Sequence, residues 1–87
     1  MTGRQETAMD PNACLDRMSE AVACRDYHEA REAVRDLQSW IGRGGFLPRA
    51  WDDFTRAGAI GRCLALETRY SDRISAGLSA PTAREAR

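Results

Sequence analysis

Cys24 and His28 stand four residues apart, a spacing at which one helix face can offer two ligands to a single metal ion. Cys14 and Cys63 would complete three thiolates and one imidazole, a donor set suited to tetrahedral zinc. Three features argue against that site. The chain has no Cys-x2-Cys knuckle. The apolar pattern after Asp26 puts His28 on the solvent side. A turn at Asp26 would separate Cys24 and His28 onto different elements. Used as nucleophile and base, the same pair would need an orienting group and an oxyanion site, and no glycine-rich nucleophile turn is present. His28 is the only histidine, so no other histidine-based acid–base scheme is available. The cysteines are expected to be reduced, metal-free and used as small apolar residues, with no cofactor and no enzymatic activity.

Two further groups have the look of chemistry. Asp52-Asp53 pairs two carboxylates, but helical neighbours point about 100° apart, so the pair reads as an acid cluster at a helix N-terminus, where the dipole favours it. Gly42-Arg43-Gly44-Gly45 resembles a phosphate cradle, yet it follows a helix, where carbonyls project, and it lacks the lysine and Ser/Thr of a P-loop. It reads as a helix C-cap.

The arginines Arg62, Arg69 and Arg73 fall near one side of the last apolar stripe, with Arg43 as a possible neighbour. Such a row can track phosphates. Glu67 and Asp72 interrupt it, so a solvated or dimer-facing surface is favoured and nucleic-acid contact is the alternative. Trp40, Phe46 and Trp51 cluster around the glycine turn. They either close the end of the core or display an anchor for a protein partner, a role common for Trp and Arg.

These side chains must be positioned by helices. Asp10-Pro11 is a helix start, with Asp as N-cap and Pro at the first helical position, and the first helix should run to about Cys24. The apolar phase slips between Val22 and Tyr27. The slip means either a tight turn at Arg25-Asp26-Tyr27 or a rotation of the stripe within one long helix; Asp26 with Glu29 has capping-box form, which favours the turn. Tyr27, Ala30, Val34, Leu37 and Ile41 then follow a 3-4-3-4 spacing, the seam of a helix packed on other helices. Glu32 and Arg35 can pair along that helix, as can Asp52 and Arg56 along the next. Gly44 or Gly45 should take the left-handed cap conformation.

A third helix is predicted from Pro48, with Leu47, Trp51 and Phe54 in its first turns. Unbroken to residue 77 it would span about 45 Å, more than the second helix can cover. Gly58 and Gly61 lie within it and mark either a kink or a close helix crossing, and a break near Gly58 would give a fourth helix. The excess length implies that part of Leu66, Tyr70, Ile74 and Leu78 is buried between two chains. The fold class is all-α, a three-helix domain over residues 10–79, with residues 1–9 and 80–87 expected to be disordered.

The balance of the chain bounds its function. Thirteen basic residues, all arginine, offset thirteen acids in 87 residues. Zero net charge argues against a generic nucleic-acid or membrane-surface binder. No apolar run approaches membrane-spanning length, and the N-terminus lacks a secretory h-region. Three cysteines without an export signal suggest a reducing cytoplasm. So small a domain is marginally stable alone, which favours self-association. The expected function is a non-enzymatic protein-interaction module, a homodimer of the kind used by phage or mobile elements to inhibit or modulate a host protein. Its candidate partner-binding residues are Trp40, Phe46, Trp51, Arg62, Arg69, Tyr70, Arg73 and Ile74.

Overall fold

The computed structural model describes residues 10–79, which form three α-helices and, among those residues, no strand. The two terminal segments expected to be disordered lie outside the described residues. Helix α1 spans Pro11–Ala23, α2 spans Tyr27–Gly42 and α3 spans Arg56–Ser75. A single 3-10 turn, Arg49–Trp51, precedes α3.

The first two helices start where the caps in the sequence place them. Asp10 accepts from the Asn12 amide at 2.9 Å, with Pro11 at the first helical position. Asp26 accepts from the Glu29 amide at 3.1 Å. Each satisfies an amide that the helix itself leaves without a partner. The turn expected at Arg25-Asp26-Tyr27 is therefore present.

All three helices end in the same way. After α2, the Gly44 amide donates to Ile41 O at 3.0 Å and the Gly45 amide to Trp40 O at 2.9 Å. This is the Schellman arrangement, with Gly44 in the left-handed region at φ 96°. Gly77 closes α3 likewise at φ 76°, its amide on Ile74 O and that of Leu78 on Arg73 O. After α1 the left-handed position is held by Arg25, at φ 59°, with the amides of Arg25 and Asp26 on Val22 O and Ala21 O.

The third helix differs from the expectation. It begins at Arg56, not Pro48, because Thr55 caps it by accepting from the Gly58 amide at 2.9 Å. Leu47 and Pro48 lead instead into the 3-10 turn. Gly58 thus lies in the first helical turn, and the helix runs on through Gly61. Its 20 residues span about 30 Å at 1.5 Å each, close to the reach of α2.

Helix α2 lies against both neighbours. Its Ala30, Val34, Leu37 and Ile41 are fully enclosed. Cys14 and Ala21 of α1 and Ala59, Cys63, Leu66 and Tyr70 of α3 complete the core, and Trp51 closes one end. The stripe expected to need a second chain is largely covered within this one. Tyr70 is 4% exposed and stacks on Tyr27 with ring centroids 6.0 Å apart. Leu66 is buried, Ile74 is half-buried against the core, and only Leu78 stands out, at 54% exposure.

Polar links between helices are also longer-range than the local pairs foreseen. Arg35 bonds Glu67 of α3 at 2.7 Å instead of Glu32. Arg17 bridges Glu29 and Asp36 across the α1–α2 interface. Ser79 accepts from the Tyr27 amide at 3.0 Å, tying the end of the described chain back to the start of α2.

Candidate functional site

The four residues considered for zinc are not brought together. Cys14 and Cys63 are inside the core, Cys24 is exposed at the end of α1, and His28 is exposed beyond the turn. No group of three or more His, Cys, Asp or Glu among the described residues is arranged to hold a metal ion. Burial pushes the Cys63 thiol up to about 11 and raises that of Cys14, whose Sγ donates to Ala33 O at 3.6 Å. Both are protonated at neutral pH, and the thiolate is the reactive form.

The corner between α2 and α3 has more to offer. Trp40 Nε1 donates to Phe46 O at 2.9 Å, and the two rings meet edge to face at 5.5 Å. The indole also occupies the space where a side chain on Gly45 would stand. Arg56 donates to both Ile41 O and Gly45 O, at 2.8 and 2.9 Å. It thereby gives Ile41 O a second donor beside the Gly44 amide and satisfies the Gly45 carbonyl beyond the helix end, in place of the expected pairing with Asp52. The Arg49 amide donates to Asn12 Oδ1 at 2.7 Å, fastening the same loop to the start of α1.

This bonding holds aromatic rings at two depths. Trp51 is 7% exposed and stacks on Phe54 at 5.5 Å. Phe46 is 55% exposed and Phe54 36%. Of the three aromatic residues singled out in the sequence, Trp51 therefore closes the core, Trp40 supports the turn and Phe46 faces solvent. The acids Asp52 and Asp53 and the arginines Arg43 and Arg49 belong to the same connecting segment, all exposed and with no ion pair among the described residues.

The arginine row is largely engaged. The Arg62 guanidinium lies over the Trp51 ring, 5.9 Å from its centroid, and that of Arg73 over Tyr27 at 5.4 Å. Arg69 lines a shallow open groove on α3 with Ala65, Thr68, Asp72, Arg73 and Leu78. Tyr70 and Ile74 face the core, not this groove.

Phe54 and Arg56 were not legible as parts of this corner. Phe54 has the spacing of an inner helical face, but no α-helix forms at that point. For Arg56 the only signal was Thr55, a possible cap that would have placed Arg56 at the first helical position beside the glycine turn. Comparison with protein-family models, with curated proteins and with solved structures gives no match, so the functional reading rests on this geometry alone.

Proposed function

We propose that this protein is a small non-enzymatic interaction module that docks on a protein partner through the corner between α2 and α3, with Phe46 as its anchor. The observation that carries this reading is the combination of exposure and fixation at Phe46. The residue is 55% exposed while its carbonyl is bonded by Trp40 and the preceding carbonyl by Arg56. A ring already held in place loses little conformational freedom when a partner covers it, and large aromatic side chains are frequent binding hot spots. The protonated, enclosed thiols of Cys14 and Cys63 support the non-enzymatic part of the reading.

The role we infer is that of a phage or mobile-element accessory protein that occupies and modulates a host protein's surface inside the cell. Its support is the charge balance of the chain, with equal numbers of acids and arginines and no lysine. Phosphate binding by the α3 arginines ranks below it, because Arg62 and Arg73 already lie over aromatic rings and Asp72 stands between Arg69 and Arg73.

The test compares tagged wild type and Phe46→Ala, recovered from the native host and quantified by mass spectrometry, with the melting temperature of each measured in parallel. Loss of a defined set of proteins from the variant, at unchanged melting temperature, supports the reading. Identical captured sets would contradict it.

A further inference from the structure

We infer that the corner is also a self-association surface, and that two copies meet there about a two-fold axis, Phe46 and Phe54 at the centre and arginines facing carboxylates at the rim. This rests on the corner being a docking surface at all, and it names a second copy of this chain as an occupant.

Charge and apolar content together favour a second copy at the corner. A two-fold interface brings the same patch of each copy face to face, so the patch must be complementary to itself. The corner meets that condition. Between Arg43 and Phe54 it carries two exposed arginines, Arg43 and Arg49, and two exposed acids, Asp52 and Asp53. None of the four is used in an ion pair among the described residues. The Arg43–Phe54 segment is therefore neutral in sum and divided in sign along the chain, arginines first and carboxylates after, while Arg56 just beyond it is engaged with Ile41 O and Gly45 O and Arg62 with the Trp51 ring. Two such patches can pair arginine with carboxylate twice, whereas a uniformly basic or acidic patch would repel its copy. The exposed rings of Phe46 and Phe54 supply the apolar area that such a rim encloses. The outward face of α3 lacks this property, because Glu67 is already paired with Arg35, which leaves Asp72 to offset Arg62, Arg69 and Arg73, and such a face would meet its own like charge.

The backbone is also prepared for the contact. Arg56, Trp40 and Asn12 fix the loop at Gly45, Phe46 and Arg49. The patch is small, so a weak, concentration-dependent dimer is expected and not an obligate one.

The experiment uses the full chain and sedimentation equilibrium from low to high micromolar concentration. One variant carries Arg43→Glu and Arg49→Glu, and a second carries Asp52→Arg and Asp53→Arg. Wild type should show concentration-dependent dimerisation. Each charge-reversed variant should stay monomeric with an unchanged circular dichroism spectrum, and an equimolar mixture of the two should dimerise again. Phe46→Asp, which changes one exposed side chain, serves should either double variant fail to fold, and it should be monomeric throughout. A wild type that stays monomeric overturns the inference. So does a dimer that survives Phe46→Asp or both charge reversals. If wild type is monomeric yet Phe46→Ala still loses its captured proteins, the second copy is excluded and the docking reading stands.

Discussion

The Trp40 indole stands where a Gly45 side chain would be, so the corner tolerates no β-carbon at that residue although its backbone angle is ordinary. Gly44, its neighbour, has open space around it but a φ of 96°. Two adjacent glycines are thus required for unrelated reasons, one steric and one conformational. The sequence suggested that only one of them would matter.

Both substitutions should therefore destabilise. Gly44→Ala should cost about 1 kcal/mol from the left-handed conformation alone. Gly45→Ala forces the indole aside and should cost about 1–3 kcal/mol. The two are separated by a double-mutant cycle in urea: in a Trp40→Ala background the Gly45→Ala penalty should largely vanish, while the Gly44→Ala penalty should persist.

Arg25 gives the opposite sign. It is the only non-glycine described residue with positive φ, and it fills the position that glycine fills after α2 and α3. Arg25→Gly should stabilise the protein by about 0.5–1 kcal/mol, because the left-handed strain is relieved in a turn whose hydrogen bonds are unchanged. A fall in melting temperature would show that the arginine side chain contributes more than its backbone strain removes.

The first two helices were legible because their signals are local. Asp10-Pro11, Asp26 with Glu29, and the Tyr27-to-Ile41 seam each lie within one element. The start of α3 was not, since Leu47, Trp51 and Phe54 are spaced as a helix would space them, while the decisive cap was the single hydroxyl of Thr55. The site was harder still. Glu32 and Asp52 are close in sequence to Arg35 and Arg56, but those arginines find their partners in Glu67 and in the carbonyls of Ile41 and Gly45 at the end of α2 and just beyond it. Exposure of Phe46 beside a buried Trp51 depends on that tertiary arrangement, and no periodicity encodes it.

Alkaline pH should weaken the fold. An unfolded cysteine loses its proton near pH 9.0, whereas folded Cys63 keeps it to about 11. Above pH 9 the unfolded chain thus binds fewer protons than the native one, and stability falls as pH rises toward 11. Burial raises Cys14 and Tyr70 in the same direction. The loss attributable to Cys63 should be on the order of 1–2 kcal/mol between about pH 8 and 11, read from urea midpoints. Cys63→Ala should be less stable at neutral pH but show a flatter slope above 9. An equal slope would place the alkaline sensitivity elsewhere.

The two aromatic depths at the corner should separate in stability measurements. Trp51→Ala should cost about 3–5 kcal/mol, as expected for an enclosed ring. Phe46→Ala should change stability by no more than about 0.5 kcal/mol. Comparable losses in both would make Phe46 a packing residue.

The central claim, that Phe46 is displayed for a protein partner, is tested most directly by photo-crosslinking in the native host. A benzophenone side chain is placed at position 46, and at Ser39 on the exposed face of α2 as the control. The account predicts one or a few discrete adducts from position 46 that the Ser39 control does not give. No adduct from position 46, or the same adducts from both positions, would contradict it.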